Sequence, residues 1–356
     1  MATLKAPSVT IAFHERAASR IARGTRGVVA LILKDTTAQT AVVYDVTDIP
    51  AGLTDLNAQL IKDALVGYQT TPSKVIVYVL ADGEEVDYAP AMDYFDTEDF
   101  DYMAAPYATE DGAAADLVTW IKSIRENDYR KAKLVINNAA DTEGVINWDS
   151  TLYRTGSDDP VTAAYGSARI AGLLAGTAMT ASATYAPLTD FADCARLTKE
   201  QRDAAVGAGK LVAFWDGEKV KICRAVNSFV TTTGDKGDSF KKIRLVEIMD
   251  LIRTDINSTI QDSYIGKYIN SYDNKCLLVT AINAYFQSLV DEGALLGGSC
   301  EINVTAQRNY IAGKGVDVSK LTDQEIKEYN TDSHVFLAAT LSMADVFEDV
   351  VLDISI

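Results

Sequence analysis

Lys74-Val75-Ile76-Val77-Tyr78-Val79-Leu80 is a run of aliphatic and β-branched residues closed by Pro72 before it and Asp82-Gly83 after it. Such a run fits a short strand covered on both faces, as in the middle of a parallel sheet. Upstream, Thr54 is placed to cap a helix whose apolar positions are Leu56, Leu60, Ala64 and Leu65, and Gly67 ends it. Before that helix, residues 28–33 (V-V-A-L-I-L) form a second apolar strand. Downstream the alternation continues, with 113–125 helical, 133–136 extended and 161–177 helical. Thr198 and Gln201 form a capping box opening a helix that ends near Gly207, and 211–215 is again a strand. Strands alternating with helices predict an α/β layer built on a largely parallel sheet.

From about residue 220 the pattern is α+β. Residues 219–226 read as extended, and 231–237 (T-T-T-G-D-K-G) as a loop. Leu245, Ile248, Ile252, Ile256 and Ile260 recur at helical spacing. A further helix from near Asp273 carries two adjacent apolar rows, Leu277-Ala281-Tyr285-Leu289 and Leu278-Ile282-Phe286-Val290, and stops at Gly293. A stripe that wide must be buried. Thr322 and Glu325 form the capping box of a short acidic helix.

The 356 residues are 48% hydrophobic, ample for about two domains with real cores. Fifty acids against 33 bases give a net charge of -17, which makes nucleic acid and anionic membranes poor partners. No apolar run is long enough to insert in a membrane and no leader pattern follows Met1, so a cytoplasmic protein is expected. Cys194, Cys223, Cys276 and Cys300 match no zinc or disulfide spacing and read as small core residues. Residues 75–121 contain twelve acids and no base, but lack EF-hand spacing, so a solvated acidic face is expected there.

Catalytic signals are thin. His14 and His334 are the only histidines and have no partners at metal or triad spacing. Gly207-Ala208-Gly209-Lys210 follows a helix and precedes a strand, the reverse of a phosphate loop. Gly172-x-x-x-Gly176, in an apolar stretch interrupted by Arg169, predicts a buried helix packed closely through small residues. No cofactor, metal or catalytic residue is assigned, and the protein is not expected to be an enzyme.

The two ends are unusual. Val9, Ile11 and Phe13 alternate with Ser8, Thr10, Ala12 and His14, and Val350, Leu352, Ile354 and Ile356 alternate with Val351, Asp353 and Ser355. This period is that of a half-buried strand. An apolar strand at a terminus is an aggregation hazard unless paired, so each end either pairs within its own subunit or is donated to another copy by strand addition. Residues 15–26 hold one acid and four arginines, Arg16, Arg20, Arg23 and Arg26. Fully extended they reach ~40 Å, and beside an acidic body they predict electrostatic contact between subunits.

Several stretches resemble the contractile tail sheath proteins of bacteriophages and R-type phage-tail-like bacteriocins of Gram-positive type. These are 224–228 (R-A-V-N-S), 240–243 (F-K-K-I), 264–271 (Y-I-G-K-Y-I-N-S), 281–286 (A-I-N-A-Y-F), 333–337 (S-H-V-F-L) and 347–350 (F-E-D-V). The opening 6–11 (A-P-S-V-T-I) and 27–29 also fit, whereas 31–214 matches weakly. The resemblance implies a structural subunit polymerising as stacked helical rings around a tail tube and contracting, without nucleotide hydrolysis, to drive the tube through a cell envelope. It implies an arm and linker at 1–26, a variable outer α/β domain at 27–214, a conserved inner domain at 215–340, and a C-terminal linker and arm at 341–356. Val9, Ile11, Phe13, Val350, Leu352, Ile354 and Ile356 would be the donated strands. The linkers would be residues 15–26 and 341–349, including Phe347 and Glu348. Tube contact would come from Asp323, Glu325 and Glu328, or from Asp291 and Glu292. The implied partners are other copies in homo-hexameric rings, the tail tube protein, and baseplate and terminator proteins. Nucleic acid and direct membrane insertion are not implied. Such a protein is assembled in the bacterial cytoplasm and becomes part of a released virion or bacteriocin particle. The competing reading is an α/β enzyme or ligand-binding protein with its site in 27–214.

Overall fold

The computed structural model describes residues 21, 26–83 and 85–356. In chain order the elements are β1 (Val28–Asp35), β2 (Gln39–Val43), α1 (Asp55–Val66), β3 (Lys74–Ala81), α2 (Ala89–Thr97), β4 (Tyr102–Ala104), α3 (Ala114–Asn127) and β5 (Lys133–Ile136). There follow β6 (Val145–Trp148), β7 (Leu152–Arg154), β8 (Pro160–Val161), α4 (Ala163–Ala175), β9 (Phe191–Cys194), α5 (Lys199–Gly207), β10 (Lys210–Leu211), β11 (Ala213–Trp215) and β12 (Val220–Ile222). The rest are α6 (Ile243–Ser263), α7 (Tyr272–Asp291), β13 (Leu295–Ile302), α8 (Val304–Gly313), α9 (Asp323–Glu328) and β14 (Leu337–Met343).

The described chain forms two compact units. The larger contains 26–257, 291–296 and 343–356, and the smaller contains 258–290 and 297–342. This division differs from the sequence partition, which starts the inner domain at 215. Residues 215–257 pack with the larger unit because α6 embeds its carboxylates there: Asp250 pairs with Arg125 on α3 and Lys133 on β5.

The larger unit is built on a seven-stranded sheet of order β10-β6-β5-β4-β1-β3-β2. Every described pairing in it is parallel except that of β2 with β3. The stretch 74–80 is β3, flanked by β1 and β2 and buried as expected. Alternation along β1 sends Val29, Leu31 and Leu33 to one face, where α1 and α4 supply Leu60, Ile61, Ile170 and Leu174. Val28, Ala30 and Ile32 face the other side, against Phe95, Phe100, Leu117 and Ile121 of α2, α3 and their flanks. Both faces are closed, which is why residues 28–33 of β1 and 75–77 of β3 are apolar at successive positions.

Local signals act as the sequence predicts. The Thr54 hydroxyl accepts from Asn57 N–H, and the Thr198–Gln201 and Thr322–Glu325 capping boxes are complete. A Cβ on Gly172 would collide with the Ala64 carbonyl, so glycine there lets α4 and α1 touch backbone to backbone. Arg169, only 2% exposed, pairs with Asp190 and donates to the Gly67 carbonyl. The expected strand 211–215 is divided: β10 joins the large sheet, and β11 leaves it to pair antiparallel with β12. Of the acidic run, Asp101 is buried and takes the Gly27 and Val28 N–H groups, and Asp111 accepts from Tyr88 and Lys34. Asp82, Glu85, Asp87, Asp93, Asp96, Asp99, Glu110 and Asp116 are exposed.

In the smaller unit, α7 buries Leu278, Ala281, Ile282, Tyr285, Phe286 and Leu289, the wide stripe read from sequence. It covers a two-stranded sheet of β13 and β14; no element is expected from sequence at 295–302, and β14 takes in 341–343, expected as the start of a linker. Gly298 makes this packing possible, since a Cβ there would meet Leu341 Cδ2 at 2.9 Å and Phe286 Cβ at 3.2 Å.

Candidate assembly site: an open sheet and two arm roots

The Asn303 N–H bonds to the Phe336 carbonyl at 2.9 Å, and the Ala344 N–H to the Ala294 carbonyl at 3.1 Å, so β13 and β14 run antiparallel. Among the described residues no third strand pairs with either. A two-stranded sheet is marginal in water unless it gains strands or packs on a helix. α7 supplies the helix, and the two outer edges stay open. At one point β13 is guarded: Asn283 accepts from the Cys300 N–H at 2.7 Å and donates to the Cys300 carbonyl at 3.0 Å. A side-chain amide thus takes the pair of bonds a neighbouring strand would make.

The segments leading to the chain ends are rooted in the larger unit, within two turns of α6 and the residue before it. Glu247 accepts from Arg26 and from the Tyr102 hydroxyl, and Arg26 also donates to the Thr177 carbonyl at 2.9 Å. Burial disfavours the Arg26 charge, but Glu247 outweighs it and holds the guanidinium pKa above its ordinary value. Lys242 pairs with Asp345 and lies 2.9 Å from Glu348 Oε2. There too burial is outweighed, by the hydrogen bonds to the two acids, and the ammonium pKa is raised. Arg244 donates to the carbonyls of Ala344, Met179 and Gly293. Glu348 accepts from Thr184 at 2.7 Å, and Asp349 pairs with Arg224. Residues 242–247 therefore hold the roots of both ends.

Beyond Asp349 the chain is exposed and has no assigned secondary structure, with Val350 at 79%, Leu352 at 76% and Ile354 at 75% exposure. Of the two alternatives read from sequence, pairing of 350–356 with a strand of its own chain does not occur among the described residues. Of the linker residues, Arg26 and Glu348 are tied down and Phe347 is 99% exposed. Val9, Ile11, Phe13, Arg16, Arg20 and Arg23 lie outside the described residues. The tube-contact candidates fall in different units: Asp323, Glu325 and Glu328 on α9 in the smaller, Asp291 and Glu292 in the larger. Asp323 is paired with Arg308, Glu325 closes the α9 cap, and Glu328 accepts from Gln324.

Reactive chemistry is sparse. Among the described residues no three His, Cys, Asp or Glu side chains could hold a metal ion, and no helix is long and apolar enough to cross a membrane. The four cysteines are free; Cys194 and Cys300 are buried, while Cys223 and Cys276 are half-buried rather than in the core. Burial pushes the Cys194 thiol up to about 11. His334 is exposed and stacks on Phe336. The sequence signal that could have exposed the acceptor sheet is weak, because Gly297-Gly298 interrupts β13.

Comparison with known proteins agrees with this architecture. A family model described as phage tail sheath protein central domain matches residues 83–228, and one for the phage tail sheath C-terminal domain matches 235–356. A tail sheath protein of Clostridium phage phiCD119 is 36% identical over 96% of this chain and 97% of its own. The XkdK protein of the phage-like element PBSX of Bacillus subtilis is 27% identical over 63% of this chain and 50% of its own. The fold is shared with a sheath tail protein of Desulfitobacterium hafniense, at TM-score 0.67 and 20% identity, covering 81% of this chain and 90% of that one. It is also shared with the contracted helical sheath of the anti-feeding prophage, at TM-score 0.69 and 15% identity, covering 99% of each chain. The full-length match to the phiCD119 protein and the two domain models together establish that this chain belongs to the phage tail sheath protein family, with a structural role in a contractile tail sheath.

Proposed function

We propose that this subunit polymerises by giving its two ends to the open edges of the β13–β14 sheet of neighbouring copies. The observation that carries this reading is a pair of incomplete parts in one chain: a sheet with unpaired edges, and an exposed apolar segment of strand period rooted by ion pairs. Burying four aliphatic side chains gains about 6–12 kcal/mol, and ordering seven residues costs about 7–14 kcal/mol. A single arm with its backbone bonds is therefore weakly held, and a lattice is stable because each subunit is joined by several arms at once.

In this reading the connectors 15–26 and 341–349 flex while strand pairing persists, since main-chain bonds keep register as the host domains rotate. The subunits form hexameric rings stacked helically around a tail tube, ended by baseplate and terminator proteins, with part or all of 27–214 facing outward and α9 or the 291–292 corner toward the tube. Contraction draws on energy stored at assembly, not on nucleotide hydrolysis. Assembly occurs in the bacterial cytoplasm before release of the particle. Deleting 350–356 should leave a folded subunit with unchanged melting that no longer forms ribbed cylinders in electron micrographs. Normal cylinders from that deletion would refute strand donation by this end.

A further inference from the structure

The smaller unit contains a cavity of about 640 Å³ whose wall is mostly apolar, with Ile260, Tyr268, Ile269, Leu278, Val335 and Leu337 among the lining residues. Two polar groups in that wall lack the partners their burial demands. Lys275 is 3% exposed, and among the described residues its ammonium reaches only neutral oxygens, Thr331 Oγ1 at 3.2 Å and Gln307 Oε1 at 3.4 Å. Among the described residues the other buried bases are better served: Arg125 and Lys133 face Asp250, Arg169 faces Asp190, and Arg244 holds three carbonyls. Burial moves the Lys275 pKa below the ordinary lysine value, and no carboxylate offsets it. Asn270 donates to Thr331 Oγ1 and to the Asp332 and His334 carbonyls, but its own Oδ1 is buried without a donor. Asp332, the acid at the rim, is occupied by Lys314 and Tyr310. A buried cation without a counter-charge costs several kcal/mol, so this wall fits a ligand bringing a carboxylate and an N–H donor within an apolar body.

We propose that the cavity is a socket for residues 350–356 of a second copy, seated with the Asp353 carboxylate on the Lys275 ammonium and a main-chain N–H on Asn270 Oδ1. The charge complementarity is specific. Asp353 is the one charged side chain in 350–356, and in an extended strand it shares its face with Val351, 90% exposed, and Ser355, opposite Leu352 and Ile354. From Asp349, the last anchored residue, the seven residues 350–356 reach up to ~25 Å outward. The inference rests on strand donation by this end, and adds the side-chain pair that selects where the strand seats.

The test is a double-mutant cycle on the critical concentration for polymerisation of the full chain. Asp353→Asn lies in an exposed segment and should leave the melting of the free subunit unchanged while raising the critical concentration about tenfold. Lys275→Met should raise it similarly, the double variant should be no worse than either single, and the reversed pair Lys275→Glu with Asp353→Lys should recover most of the loss. If 350–356 proves necessary for polymerisation but Asp353→Asn assembles like the parent, or the two effects simply add, the socket is refuted and donation stands. If the 350–356 deletion polymerises normally, donation itself is refuted. Coupling of Asp353 to the Lys275 resonance in a monomer would also overturn the proposal, because the occupant would then be the chain's own end.

Discussion

The two sheets of this molecule are opposites. The seven-stranded sheet of the larger unit is covered on both faces by helices, and several buried charges there are paired, Asp250 with Arg125 and Lys133, Glu247 with Arg26 and Asp101 with Lys131, while Arg244 is held by three carbonyls. Among the described residues the smaller unit has a two-stranded sheet with no further strand on either edge, one helix over it, and a buried lysine paired with no acid. The first is finished within one chain. Among the described residues the second lacks further strands and an acid for its lysine, and on the proposal above other copies would supply them.

That contrast can be broken most forcefully at Asp250. Asp250→Ala strands two buried cations, and the larger unit should lose about 3–5 kcal/mol of stability, read as a fall in the denaturant midpoint. A loss below about 1 kcal/mol would mean that its charges are not mutually required.

A smaller effect is expected with pH. Asp35, at the end of β1, accepts from the Thr54 N–H, the Asn57 amide and the Thr36 N–H, which hold its carboxyl at about 2. Its folded pKa lies below the unfolded value, so its stabilisation is complete above about pH 4 and is lost as the pH falls toward 2. The stability difference between the parent and Asp35→Asn should shrink across that window; a constant difference would contradict the assignment.

The smallest change is expected in the unfinished sheet. Asn283→Ala removes the guard at Cys300 and should cost only about 0.5–1.5 kcal/mol, because the freed backbone groups lie at an edge. It should also broaden the register of added strands, seen as less uniform ribbing in micrographs.

The sequence exposed the finished part far better than the unfinished one. Residues 74–80, the Thr54 cap and the 198–201 box are local signals, and the structure follows them. The ion pairs were not legible, since Arg125 and Asp250, or Arg26 and Glu247, are far apart in the chain and no spacing rule joins them. The same long-range pairs explain why residues 215–257 pack with the larger unit despite their change of texture. β13 was missed because its two glycines argue against a strand; only the packing of Gly298 beneath Phe286 makes them suitable. The apolar ends were conspicuous, but the open sheet edges were not, because an open edge is a property of pairing and leaves no mark in composition.

Amide hydrogen exchange, compared between the free subunit and the assembled polymer, tests the central claim most directly. The account predicts that 350–356 and the outer edges of β13 and β14 exchange freely in the subunit and become protected together on polymerisation, while β1 and β3 are protected in both. Protection of 350–356 in the free subunit, or its continued free exchange in the polymer, would contradict it.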